Sequence, residues 1–382
     1  MDKFFYDRWI FFASLTLVVF GLLMVSSASM VISDRIYQEP FHYLLRQFIF
    51  LMSGFGIAWW LTRIPLRFWE EMSFVLLLLC FLLLIAVLVP GVGHVVNGSK
   101  RWIHFGFISL QVSEIVKLMA ILYLSGFLQR HLNEVQTQFS GFIKPLIFFG
   151  LMGVLLLCEP DFGATSVIAM TLLTLLFVAG ARLLPFLVIL ISVFSGMALL
   201  AITTPYRLQR LTTFINPWLH AYSSGYQLTQ SLIAFGRGGL FGVGLGNSVQ
   251  KLFYLPEAHT DFIFAVIGEE LGFFGELCLI ALFAVLIARI ISLGQRALKQ
   301  EQLFAGFAAW GIGLWWSFQV FINIGVNIGL LPTKGLTLPL ISYGGSSLWV
   351  SCATIGIMLR IAYEVQSGAG EASRAQLRRR VS

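Results

Sequence analysis

An all-α polytopic membrane protein of about ten spans is the fold that this sequence predicts, and three observations predict it. Only 11% of the 382 residues are charged while 58% are hydrophobic, against about 25% charge in a soluble domain. Apolar runs reach about 20 residues, the length a helix needs to cross the hydrocarbon core. The runs are continuous, whereas membrane barrels alternate over segments of about ten residues. Only helices and closed barrels satisfy their backbones in lipid, so helices are expected.

Charged, Pro-rich or Gly-rich breaks place the spans at 9–30, 44–62, 73–90, 109–128, 142–158, 164–180, 184–203, 262–290, 304–328 and 340–362. The first is too long, and too poorly followed by a cleavage site, to be a removable signal peptide. One integral domain, 1–382, is therefore expected, with a large external loop at 204–261 and a basic tail at 363–382. With the N-terminus inside, 15 of the 25 basic residues fall on that side and nine on the other. Long loops count little in this bias; leaving out the loop's Arg207, Arg210, Arg237 and Lys251 makes it 15 against five. Both termini are expected in the cytoplasm, with the tail on anionic lipid or simply solvated. Cys80, Cys158, Cys278 and Cys352 lie in or at the ends of spans, which reads as small buried apolar residues rather than a disulfide or zinc framework.

Between the third and fourth spans, 91–107 is short, external and amphipathic. Lys100, Arg101 and Trp102 there suit an interfacial anchor or a grip on phosphate. Within the long loop, 226–235 reads as a short amphipathic helix on the membrane surface. The glycine run 236–246 lacks the spacing and preceding strand of a dinucleotide fingerprint; it reads as a tight backbone passage.

Ionisable groups at membrane depth are costly and need partners. Glu114 and Lys117 lie three apart on one helical face, about 8 and 12 Å in from the outer end of the fourth span. They form a structural ion pair, a charged wall of an outward cavity, or both. Glu159-Pro160-Asp161-Phe162-Gly163 joins two spans with almost no loop; its carboxylates receive Lys117, orient a substrate, bind a cation or make a plain polar turn. The irregular stretch 331–347 carries Lys334 and the hydroxyls of Ser342, Ser346 and Ser347, expected to point outward. Leu255-Pro256-Glu257-Ala258-His259-Thr260-Asp261-Phe262 puts two carboxylates and an imidazole where the chain re-enters an apolar span. Donors (Arg101, Lys117, Arg207, Arg210, Lys334) and acceptors (Glu114, Asp161, Glu257, Asp261) thus gather on one face. An apolar groove capped by cations suits a lipid tail with a phosphate head, and a carboxylate beside it suits proton abstraction from a hydroxyl. His259 is a hydrogen-bonding neighbour in this reading, and Asp261 and Glu257 are not ranked.

At these residues the chain resembles the SEDS family of bacterial cell-wall polymerases (shape, elongation, division, sporulation). The likeness is carried by Gly98-Ser99-Lys100-Arg101-Trp102-Ile103, Gln111-Val112-Ser113-Glu114 with Lys117, Glu159 to Gly163, Gly225-Tyr226-Gln227 with Gln230-Ser231, Pro256 to Phe264, and Ser342-Tyr343-Gly344-Gly345-Ser346-Ser347. Pro332-Thr333-Lys334-Gly335-Leu336-Thr337-Leu338-Pro339 looks like the cell-division branch rather than the elongation branch. Asn216 stands where the family often has Asp. The resemblance implies a glycosyltransferase that polymerises lipid II in the inner membrane at the division septum, with the essential carboxylate at Asp261. It implies a septal class B penicillin-binding protein as transpeptidase partner among other divisome membrane proteins, and no nucleic acid. A divalent cation, Mg2+ or Mn2+, is compatible with this chemistry, with no ligand set legible. Three rival readings stand beside it: the elongation-type polymerase, a lipid II flippase using Glu114 and Lys117, and a scaffold that only recruits its transpeptidase.

Overall fold

The computed structural model describes residues 7–96, 99–106 and 108–381, for some of them the backbone alone. Each expected span falls on a helix: α1 (Arg8–Tyr37), α2 (His42–Leu61), α4 (Ser73–Leu88), α5 (Val112–Thr137), α6 (Phe139–Cys158), α7 (Phe162–Val178), α8 (Leu183–Thr203), α11 (Ile263–Lys299), α12 (Leu303–Asn327) and α13 (Gly345–Val381). Eight of these are long and apolar enough to cross a membrane; α4 and α7, of 16 and 17 residues, are shorter. Three further helices, α3 (Leu66–Glu71), α9 (Pro205–Ile215) and α10 (Tyr226–Gly238), lie in the connections. The polytopic helical fold is thus the one expected. The backbone of α13 continues through the basic tail to Val381.

Local chemistry sets the helix ends. Asp7 caps α1 by accepting from the Ile10 amide at 3.2 Å, and Gln38 ends it in the left-handed region. Asp161 caps α7 by accepting from the Ala164 amide at 3.1 Å. Both caps satisfy amides that a helix start leaves open. Asp7 also receives Arg289 and Arg296 at 3.0 and 3.1 Å, which ties the far end of α11 to the start of α1. The centre of the bundle is α5 with α12 and α13: 83%, 67% and 72% of their most apolar windows are buried, against 22% for α2 and 6% for α8. Large side chains such as Leu23, Leu82 and Ile191 remain exposed on the rim, as lipid allows.

The structure adds what the apolar pattern did not carry. The segment expected only as external and amphipathic forms a three-stranded antiparallel meander, β1 (Gly93–Val96), β2 (Ser99–Phe105) and β3 (Ile108–Gln111), with Trp102 opposite Gln111. Gly106, at φ +59°, turns β2 into β3. The segment expected as a surface helix is α10, which packs against α11 and α12; Ser231 Oγ donates to the Asn327 carbonyl at 2.7 Å. Beyond it the glycine run is the tight passage expected. At Gly238 an added Cβ would lie 2.0 Å from the Gly268 carbonyl oxygen, and at Gly242 it would lie 2.2 Å from that of Glu270.

This passage breaks α11. Gly272 leaves helical geometry (φ +65°, ψ −170°), and the loop takes over the freed backbone groups. Phe273 N donates to Gly239 O at 2.9 Å and Phe274 N to Leu240 O at 3.2 Å, while Val243 N and Gly244 N donate to the Glu269 and Glu270 carbonyls at 3.0 Å each. Since Gly272 lies nine residues into α11, the loop follows that helix for about 14 Å at 1.5 Å per residue. Non-helical backbone at such depth survives only where protein satisfies it.

Candidate active site

The site is built from the turn 255–262, the segment 331–344 and α12, which clamps both. Three amides on α12, at Gln319, Asn323 and Asn327, recur every four residues and so share one face. Asn323 and Asn327 each donate to the Asp261 carbonyl at 3.0 Å. Asn323 also donates to Leu336 O at 2.6 Å and Gln319 to Thr337 O at 2.9 Å. Asn327 Oδ1 accepts from the Ala265 amide at 3.2 Å in the first turn of α11. One helix thus holds the two loops in fixed relation, beside the direct bond from the Tyr343 amide to the His259 carbonyl at 2.9 Å. This ladder escaped the sequence reading, though amides four apart inside an apolar span were the signal for it.

Clamping puts the Asp261 side chain against Gly335: a Cβ there would approach Asp261 Oδ2 to 2.9 Å. The neighbouring Lys334 lies with Nζ 3.3 Å from the centroid of the Phe162 ring, a cation–π geometry. Asp161, one residue earlier, is buried, with Arg101 Nε 3.8 Å from its Oδ2. Arg101 also donates through Nη2 to the Pro160 carbonyl. Glu159 is wholly buried, and that burial, with the nearby Asp161 charge adding and Arg101 opposing, pushes its carboxyl up to about 8. The segment 159–163 and the segment that seats Asp261 therefore touch: a Cβ on Gly163 would lie 3.7 Å from the Gly335 carbonyl oxygen, with Lys334 on Phe162 and Arg101 beside Asp161. Gly335→Ala is expected to displace the Asp261 carboxylate and lower turnover about 10- to 100-fold with thermal stability nearly unchanged, measured as initial rate and melting temperature.

Other expected site residues lie differently. Glu114 and Lys117 form the ion pair, at 2.8 Å, and both are buried, with exposures of 4% and 1%. Lys117 also donates to Gln319 Oε1 at 2.8 Å, which Trp315 Nε1 bonds at 2.7 Å. The pair therefore anchors the α12 ladder. Ser342 does not point outward: its hydroxyl donates to Thr260 O at 2.7 Å and accepts from Leu338 N at 2.8 Å. Ser346 donates to Ser109 O at 2.9 Å, and Ser347 pairs with Thr337 Oγ1 at 2.9 Å. The reason is that irregular backbone leaves polar groups that nearby hydroxyls must satisfy.

His259 packs between Tyr43 and Tyr343, with ring centroids 5.0 and 5.5 Å away, and its Nδ1 has no hydrogen-bond partner among the described residues. Burial holds its pKa below the usual imidazole value. Glu257 is exposed at φ +57° and accepts from Thr260 Oγ1 at 2.7 Å within its own turn. That separates it from Asp261, which lies against Gly335. Arg207 and Arg210 sit on α9, and their side chains lie outside the described residues. Among the described residues no group of three or more His, Cys, Asp and Glu is arranged around a metal position.

A second charged cluster was also missed. Lys251, counted from the sequence among the cations of the external loop, is buried and donates to Glu270 at 2.7 Å and to Ser27 Oγ of α1 at 2.9 Å. Glu269 accepts from Ser248 Oγ, from the amides of Val249 and Gln250 at 3.1 and 3.2 Å, and faces Arg237 at 3.5 Å. Two adjacent carboxylates inside an apolar span were the available signal.

Comparison with known proteins agrees with this architecture. The FTSW_RODA_SPOVE family, described as "Cell cycle protein", matches residues 7–367. The chain is 61% identical over 362 residues to a protein of Coxiella burnetii named "Probable peptidoglycan glycosyltransferase FtsW", covering 95% of this chain and 97% of that one. It is 51% identical over 359 residues to a Legionella pneumophila protein of the same name, covering 94% and 91%. Among solved structures, a chain of a peptidoglycan synthase complex that coordinates polymerization and crosslinking superposes with a TM-score of 0.77 at 28% identity, covering 94% of this chain and 98% of that chain. The Thermus thermophilus rod shape determining protein RodA superposes with a TM-score of 0.70 at 28% identity, covering 94% and 97%. This multi-pass membrane chain belongs to the FtsW, RodA and SpoVE family of cell cycle proteins.

Proposed function

We propose that this chain is a peptidoglycan glycosyltransferase that polymerises lipid II into glycan strands during septal cell-wall synthesis. The observation that carries the reading is the Asp261 carboxylate seated against Gly335, on a segment that touches 159–163, where Lys334 lies on Phe162 and Arg101 lies beside Asp161. The names of its relatives support the same activity and the division branch. Asp261 is the general base: it accepts the proton of the 4-hydroxyl of an incoming lipid II sugar. The freed oxygen attacks the anomeric carbon of the growing strand, and undecaprenyl pyrophosphate leaves. Arg101 and Lys334 stabilise the charge that develops on the leaving group, with Arg207 and Arg210 as further candidates on α9. Lys117 acts at one remove, through Gln319 and the 336–337 backbone.

Both termini lie in the cytoplasm in this reading, and the turn 255–262 faces the outside, where lipid II presents its sugar. The partner is a septal class B penicillin-binding protein that cross-links the strands, with other divisome membrane proteins around it. A divalent cation, Mg2+ or Mn2+, would supply charge neutralisation at the pyrophosphate when bound.

The test is strand synthesis in detergent by the purified chain with its partner, given lipid II. Long glycan products are expected. A lipid II flippase would make none there, because detergent provides no two sides, and neither would a scaffold.

A further inference from the structure

We propose that Glu159 and Asp161 are the protein's ligands for a divalent cation, Mg2+ or Mn2+, at the diphosphate end of the site. The assignment deepens the polymerase reading, since it takes the diphosphate from it.

Both carboxylates are buried, with exposures of 0% and 2%. Among the described residues neither oxygen of Glu159 has a hydrogen-bond donor, and Asp161 Oδ2 has none either, while Asp161 Oδ1 caps α7. Three buried carboxylate oxygens on one short turn are thus left without a hydrogen bond. An uncompensated buried charge costs several kcal/mol, so with both carboxylates ionised this turn requires more positive charge than Arg101 alone supplies.

Arg101 does not complete it. Its Nε lies 3.8 Å from Asp161 Oδ2, beyond hydrogen-bond reach, and has no hydrogen-bond partner, while its Nη2 is spent on the Pro160 carbonyl. A guanidinium in that position adds field, not ligation.

Chemistry selects the ion. The unpartnered acceptors are all carboxylate oxygens, which suits a hard cation. Mg2+ is commonly bound by one or two carboxylates together with substrate phosphates and water, rather than by a cage made wholly of protein. Two carboxylates match that habit. Position adds a second argument. Asp161 is followed by Phe162, whose ring carries Lys334, and Lys334 precedes the glycine that abuts Asp261. An ion on this turn lies beside the segment that seats the general base, since a Cβ on Gly163 would lie 3.7 Å from the Gly335 carbonyl oxygen. The opposing possibility is that a proton, not a metal, neutralises the pair.

Manganese binding decides between them without lipid II or turnover. The full-length chain, purified in detergent, is titrated with Mn2+ while electron paramagnetic resonance follows the free ion. One saturable site is expected, displaced by Mg2+, and weakened at least about 10-fold in Glu159→Gln and in Asp161→Asn. Both substitutions keep shape, and Asn retains a cap for α7; monodisperse elution and melting temperature confirm that each variant is folded. Glu301→Gln, exposed and remote, is the control and is expected to bind as wild type. Equal binding in wild type and both site variants overturns the proposal. So does the absence of saturable binding in wild type, which favours the shared proton. A failure to polymerise lipid II would count against the function reading and would leave the manganese result standing.

Discussion

Replacing Asp261 by Asn is expected to lower lipid II polymerisation by about 10²- to 10⁴-fold, the usual contribution of a positioned general base. The fold should survive, because α12 holds this residue by its backbone: Asn323 and Asn327 both bond its carbonyl oxygen, which the substitution leaves in place. Asp261 is partly exposed and Asn keeps its shape, so the exchange should change stability by no more than about 1 kcal/mol. Glu257→Gln is the comparison. Its carboxylate is exposed and engaged with Thr260 in its own turn, so a much smaller loss is expected. Strand length and initial rate, read on lipid II gels for both variants with the partner present, give the answer. Wild-type rates from the Asp261 variant would remove it from the mechanism.

Lys251→Met should be the most destabilising of the substitutions considered. Its ammonium lies between Glu270 and Ser27, with Glu270 at 0% exposure. Removing one partner of a buried pair leaves the other charge uncompensated, which typically costs about 3 to 5 kcal/mol, or about half the stability of an ordinary domain. The consequence should spread, because this cluster joins α1, the returning loop and the break in α11. A marked fall in melting temperature in detergent is expected, with partial recovery when Glu270→Gln removes the stranded charge. If Lys251→Met melts as the wild type does, the cluster is not what closes the break at Gly272.

Much of the bundle was legible because the bilayer sets a length and an apolarity that local composition reports directly. Each expected span meets a helix, and even the shorter α4 and α7 were placed by the polar breaks around them. The meander at 93–111 was not legible, since short amphipathic strands between spans have no such length signal. Ser342 was read as an outward donor because hydroxyls near an irregular segment suggest a ligand; the backbone of Thr260 claims it instead. Lys251 was counted as a loop cation, whereas its loop returns along α11 and buries it.

What local sequence determined was the solvent and the chemistry: apolar length demands lipid, and carboxylates at the edge of a span demand a partner or a task. The choice among those carboxylates was made in three dimensions. Asp261 and Glu257 are four residues apart in one turn and chemically alike. Amides from α12 and a glycine from the segment 331–344 seat one of them beside that segment, while the other closes its own turn. Such contacts join residues more than sixty positions apart, so no local pattern can carry them.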